Sequence, residues 1–232
     1  EEFADRQNYK LDWTQVLTKN WIASLGLETV TDQGYLNNPY RVVRYLDPTE
    51  GRGFRYQTEV YPETRTSTAV SLRSMYYLPY RASIKFEARS YSDTWDISAS
   101  NYEFAYIHPY GDHWIIEGKY RFYDQTQAEF YRDLIDPLNN EQNTEFVARD
   151  KEMSAFSDYS IGLGVSYERE FKTTGFFKKF SVNLFLDYFQ FDFENFRNVL
   201  VHDTNPGEYA VGSEPLYAYD ATVTRFYFSI WY

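Results

Sequence analysis

Polar and apolar residues alternate one for one along most of this chain. Trp21, Ala23, Leu25 and Leu27 are interleaved with Ser24, Gly26 and Glu28, and Thr68, Val70 and Leu72 with Ser71 and Arg73. Ala82, Ile84, Phe86 and Ala88 alternate with Ser83, Lys85, Glu87 and Arg89. Further on, Trp114, Ile116, Gly118, Tyr120 and Phe122 oppose Glu117, Lys119 and Arg121. Tyr159, Ile161, Leu163, Val165 and Tyr167 oppose Ser160, Gly162, Gly164, Ser166 and Glu168, and Phe180, Val182, Leu184, Leu186 and Tyr188 oppose Ser181, Asn183 and Asp187. Successive side chains of a strand point to opposite faces, so each run predicts a strand with one apolar and one polar face. Two stretches are less regular. Across Trp95–Ile107, Ile97 and Ala99 have the opposite parity to Tyr102, Phe104 and Tyr106, which predicts a one-residue β-bulge near Ser100-Asn101. Gln15 interrupts the apolar face of Leu11–Leu17.

Periodicity alone fits a soluble sandwich as well as a sheet in lipid, because either medium rewards a two-faced strand. Length favours lipid: the runs are about 10–15 residues, against ~5–6 for a globular strand. Turn lengths point the same way. Short turns (Lys19-Asn20, Leu78–Arg81, His108–Asp112, Phe171–Lys179) take turns with long loops at about 32–64, 125–156 and 195–216, with one brief exception at Tyr91–Thr94. Membrane barrels have short periplasmic turns and longer outer loops.

Composition narrows the choice. Aromatics are 21% of the 232 residues, 24 of them Tyr, while mean hydropathy is only −0.61. No apolar run approaches the ~18–20 residues of a spanning helix. There is no cysteine, which rules out disulfides, thiolate metal sites and thiol catalysis. A net charge of −11 argues against a nucleic-acid partner. Aromatics gather near predicted strand ends, as in a membrane-interface belt. Trp21, Tyr76, Tyr77, Tyr110, Trp114 and Tyr232 fall at the short turns, and Trp95, Tyr159 and Tyr217, with Tyr91, Phe122, Tyr123, Phe156, Phe191 and Phe193, near the long loops.

The last residues, Arg225-Phe-Tyr-Phe-Ser-Ile-Trp-Tyr232, alternate strictly and stop on an aromatic. They resemble the closing strand of a bacterial outer-membrane β-barrel, which implies insertion by the barrel-assembly machinery. Tyr35–Arg44, Thr64–Thr66, Tyr91–Trp95 and the run Tyr120-Arg-Phe-Tyr-Asp-Gln-Thr-Gln-Ala-Glu-Phe-Tyr131 resemble an uncharacterised family of bacterial outer-membrane β-barrel proteins. That resemblance implies an all-β, transmembrane, antiparallel up-and-down barrel at the outer membrane, touching lipid and lipopolysaccharide. It implies no activity. A weaker association is with envelope redox proteins. Nine strands are counted over residues 1–232, as a single barrel domain. Single-chain barrels have even strand numbers, so one or more strands are expected before residue 1, for about 10–14 in the parent.

On these expectations the polar faces line a lumen carrying Arg73, Lys85, Glu87, Arg89, Glu103, Glu117, Lys119, Arg121, Glu168, Asp187 and Arg225. Charges of both signs there predict a salt-bridged interior, with a selective charge ring as the alternative. His108 and His113 bracket a turn and read as turn residues rather than metal ligands. The His202-Asp203 dipeptide is too little for a hydrolase. No catalytic residue, metal or cofactor is assigned. Acidic residues of the 125–156 loop, including Asp133 and Asp150, read as a solvated surface, and Tyr40–Tyr45 with Phe54–Tyr61 as a hairpin above the sheet. The expected role is a scaffold or anchor for an envelope lipoprotein or redox partner, with a passive pore as the alternative.

Overall fold

The alternation becomes strand throughout. The computed structural model describes residues 3–139, 145–171, 176–205 and 207–232. Nine strands form one antiparallel sheet: β1 (Ala4–Thr18), β2 (Trp21–Gly34), β5 (Thr64–Tyr77), β6 (Ser83–Asp93), β7 (Ser98–Tyr110), β8 (Trp114–Gln125), β9 (Phe156–Glu170), β10 (Lys179–Arg197) and β11 (Leu216–Trp231). They lie side by side in chain order, with the hairpin β3 (Val42–Leu46) and β4 (Phe54–Thr58) apart from them. Helix among the described residues is limited to a 3-10 turn at Lys151–Met153 and the single turn α1 (Val201–Thr204). The sheet is open: the outer edges of β1 and β11 have no partner strand among the described residues.

Register separates the two faces. Ile161, Leu163 and Val165 of β9 align with Tyr188, Leu186 and Leu184 of β10, and these with Thr222, Thr224 and Phe226 of β11. No described residue covers this apolar face: Ile161 is 47% exposed, Leu184 49% and Phe228 57%. On the other face even small side chains are hidden, among them Ala69, Ala105, Ser160 and Ser181. Shielding of short side chains on one face and exposure of long ones on the other means that the sheet curves, with the charged face on the concave side.

No bulge occurs in β7. Its register against β6 and β8 is unbroken from Ala99 to Ile107, so Tyr102, Phe104 and Tyr106 belong to the apolar face and Ile97 and Ala99 to the charged side. The parity changes because the environment does. At that end of the sheet the concave face is roofed by the long loops, and Ile97 and Ala99 are buried under them. Register shifts fall instead between Val16 and Thr18 and between Asp192 and Arg197. β1 begins earlier than the pattern suggested and puts Tyr9, Leu11 and Trp13 on the apolar face.

The described residues of the long connections, 35–63, 126–155 and 198–215, converge into one cap over this end. The β3–β4 hairpin forms close to where the sequence suggested and is tied to the second loop by a Tyr45–Ile135 bridge, while Val60 pairs with Val147. The described hydrophobic core lies in and under the cap. One cluster joins Tyr61, Trp95, Ile97, Ala128, Phe130, Tyr131 and Ala148; the other joins Val43, Ile135 and Val147.

Candidate functional site

The concave face is a wall of paired charges. Arg73 of β5 faces Glu87 of β6 directly and meets it at 3.3 Å. Arg89 of β6 reaches over β5 to Glu28 of β2 at 3.0 Å, across the short side chains Ala69 and Ser71. Arg121 meets Asp158 at 2.6 Å, Lys179 meets Glu168 at 2.6 Å, and Arg225 meets Asp187 at 2.5 Å, each pair diagonal on neighbouring strands. Gly162 leaves the room that Asp187 fills, since a Cβ there would come within 2.5 Å of its carboxylate.

Of the charges expected on this face, Arg73, Glu87, Arg89, Arg121, Glu168, Asp187 and Arg225 are thus in ion pairs. Lys85, Glu103, Glu117 and Lys119 lie on the same face with no ion pair within 4.0 Å among the described residues. Glu103 stands directly opposite both Glu87 and Arg121, giving a transverse row of Arg73, Glu87, Glu103 and Arg121. Sequence reasoning missed Glu28, Asp158 and Lys179 as partners. Glu28 was visible on the polar face of its strand; Asp158 and Lys179 sit at strand ends, where alternation gives little guidance.

A second charged cluster lies inside the cap. Arg44 on β3 is completely buried, and its guanidinium donates to Asp133 at 2.5 Å and to Glu214 at 2.7 Å. Arg149 meets Asp133 at 3.0 Å, and Asp133 also accepts the Arg197 backbone N–H. Glu214 takes a further hydrogen bond from the Gly212 N–H and pairs with His202 Nε2 at 2.8 Å. Glu59 accepts from the Arg149 N–H at 2.7 Å and from the Tyr61 hydroxyl at 2.6 Å. Each long loop therefore contributes at least one buried charge, and the Phe54 and Phe196 rings lie against the Arg44 and Arg149 guanidiniums.

Burial raises the Glu214 carboxyl, but hydrogen bonds from Arg44 and His202 and the Arg44 charge outweigh it and hold the group at about 2. Burial dominates at Glu59 and at Tyr61, raising both. Asp133 and Asp150 are therefore not the solvated acids that the loop composition suggested. Asp133 joins two arginines, and Asp150 is buried beside Arg41 at 3.1 Å. His202 and Asp203, neighbours in sequence, have different partners, since Asp203 meets Arg52 at 2.8 Å. His113 bonds the Glu168 carbonyl, and His108 the Tyr106 hydroxyl. Among the described residues no cluster of three metal-ligating side chains occurs.

The aromatics divide differently from the expectation. At the short turns Trp21, Tyr76, Tyr77, Tyr110, Trp114 and Tyr232 are all exposed. At the loop end, Trp95 is 4% exposed and is not an interface residue. Asp93 accepts the Trp95 and Ile97 N–H groups in a tight turn with Asp96 at φ 65°, folding the indole under the cap against Tyr61 and Phe130. Tyr217 likewise turns inward, packing on Phe193 and Phe196. Tyr123, Phe156, Phe193 and Tyr217 form a chain of ring contacts on the charged side, whereas Tyr159 stays on the apolar face. Alternation could have shown this, because Tyr123 shares parity with Arg121 and Phe156 with Ser160.

Residues 4–201 match the family model described as "Protein of unknown function (DUF3570)". The chain belongs to this family. All four internal stretches noted in the sequence lie within the part matched to DUF3570. No curated protein matches the chain. Among solved structures it is similar to "OmpT (in-vitro folded), an outer membrane protein Vibrio cholerae (trimer form)", with a TM-score of 0.46 and 10% identity. The likeness covers 97% of this chain and 56% of that one, so this DUF3570 chain spans little more than half of that protein's length.

Proposed function

We propose that this sheet is part of a β-barrel of the bacterial outer membrane and serves as a capped scaffold that anchors an envelope partner, a lipoprotein or a redox protein. One observation carries the membrane reading. Ile161, Leu163, Val165, Leu184, Leu186, Phe226, Phe228 and Ile230 form an uncovered apolar surface, while the buried core lies elsewhere, under the loops. A contiguous apolar surface of this extent is costly in water and favoured in hydrocarbon. Free strand edges are not tolerated in lipid, so β1 and β11 acquire partner strands on insertion. Exposed aromatics at the short turns suit the headgroup region, and the three long loops, with their cap, then face outward.

The scaffold reading rests on the cap. Side chains from all three loops interlock over one end of the concave face, and ion pairs cross the face below. This suits an interior that is closed to solute flow. The test is conductance in planar bilayers. A scaffold gives no single-channel steps, and the partner co-purifies from native membrane with a defined stoichiometry. Reproducible steps altered by Glu87→Ala or Arg121→Ala would overturn the scaffold reading in favour of a selective channel, the reading that the unpaired Lys85, Glu103, Glu117 and Lys119 favour.

A further inference from the structure

A trough of about 290 Å³ runs along β9 on the charged face, between β8 and β10, close to the ~300 Å³ at which small-molecule sites begin. It lies towards the short turns, beside the start of β8, so the cap at the other end leaves it open. Two glycines make the trough. Asp187 lies over Gly162 and the Phe185 ring over Gly164, where a Cβ would come within 2.5 and 2.6 Å of them. Glu117 and Lys119 of β8 form one bank, their Cβ atoms 3.4 and 3.7 Å from where side chains at Gly164 and Gly162 would begin. Phe185, with Tyr227 edge-on at 6.4 Å, forms the other.

The charges of the lining show what the trough would take. Two are acidic and two basic, so the lining as a whole is neutral. Asp187 and Arg225 satisfy each other at 2.5 Å. Glu117 and Lys119 have no such partner. Directly across on β7 and β9, Glu117 meets Ile107 and Gly164, and Lys119 meets Ala105 and Gly162. Both keep accessible surface, and neither has an ion pair within 4.0 Å among the described residues. One free anion and one free cation thus stand side by side, two residues or ~6.8 Å apart along an extended strand. A ligand with one charge satisfies only one of them, whereas a zwitterion satisfies both. Two charged hydrogen bonds of ~2.8 Å each, with both ligand charges on one carbon between them, span such a gap.

We propose that this trough binds a free α-amino acid with an apolar side chain. The ligand's ammonium donates to the Glu117 carboxylate, its carboxylate accepts from Lys119 Nζ, and its side chain lies against Phe185 and Tyr227. Such a site requires only that water reach the charged face from the short turns. It depends neither on what surrounds the apolar face nor on a partner held by the cap, so it stands or falls separately from the membrane and scaffold readings.

The probe is L-phenylalanine, titrated calorimetrically into the full chain folded in detergent. Beside it are phenethylamine, which lacks the carboxylate, and 3-phenylpropionate, which lacks the ammonium. The expected result is saturable one-site binding of phenylalanine, with each singly charged analogue at least tenfold weaker, a difference of about 1.4 kcal/mol. Glu117→Gln is expected to weaken phenylalanine at least tenfold and 3-phenylpropionate not at all. Lys119→Gln should weaken phenylalanine as much and phenethylamine not at all. A general loosening of the sheet would not sort the ligands by charge in this way. Arg6→Gln, on distant β1, should leave all three unchanged. Equal titration of phenylalanine and either analogue, wild-type binding to Glu117→Gln or Lys119→Gln, or no saturable binding of phenylalanine at millimolar concentration would overturn the proposal.

Discussion

Replacing Arg44 by Met keeps an unbranched side chain and removes the guanidinium that lies over the Phe54 ring and ties β3 to Asp133 and Glu214. Taking one partner from a buried ion pair costs ~3–5 kcal/mol, because a charge remains without compensation. Here both acids keep other partners. Asp133 still has Arg149 and the Arg197 N–H, and Glu214 still has His202 and the Gly212 N–H. The lower end of that range, about 3 kcal/mol, therefore applies, equivalent to cap opening roughly a hundredfold more often. Hydrogen exchange read by mass spectrometry resolves this by segment. Amides of 42–46, 54–61, 130–135 and 146–150 should exchange about that much faster, and those of β8, β9 and β10 below the cap should not change. Adding Glu214→Gln should recover part of the loss by removing one uncompensated charge. The reasoning is refuted if the cap amides of Arg44→Met exchange as in the wild type, or if the whole sheet loosens with them.

Acid should open the cap by the same route. Glu214 is held at about 2, below its ordinary 4.5, so its stabilisation is complete above pH 4.5 and is lost as pH falls towards 2. Glu59, raised by burial, has the opposite sign and strengthens its region as pH falls through its raised value. Pepsin cleavage within the cap, normalised to an unstructured peptide, should rise across the Glu214 window in the wild type and not in Glu214→Gln. Trp95→Ala removes the ring between Tyr61 and Phe130 and should destabilise the cap by ~3–5 kcal/mol, measured by the same exchange experiment, with short-turn amides unaffected. Leu163→Arg on the apolar face should lower stability in lipid vesicles by ~2–4 kcal/mol in a denaturant titration; a change near zero would mean that this position faces water.

Nearly every strand was legible because only an extended backbone keeps side chains in period two over runs this long, and the alternation of short and long connections gave the three loops. The cap's interior was not legible. Arg44, Asp133 and Glu214 look like ordinary loop charges, and they meet across separations of 89 and 170 residues that no local pattern records. The same cause accounts for Trp95 and Tyr217. Their place at strand ends suggested an interface belt, but at the loop end the concave side is covered by protein, so an aromatic gains as much by turning in. It also accounts for the false bulge in β7, where a change of parity marks a change of surroundings rather than a change of register.

The central claim is that hydrocarbon meets the apolar face and water the charged one. The chain has no cysteine, so single cysteines placed in turn at 159–167 and 182–188 and spin-labelled report each position alone. In lipid vesicles the account predicts a period-two alternation of collision rates. Labels at 161, 163, 165, 184 and 186 should favour oxygen, and those at 162, 164, 185 and 187 a water-soluble nickel chelate. Chelate access at 161, 163, 165, 184 and 186, or no alternation at all, would contradict it.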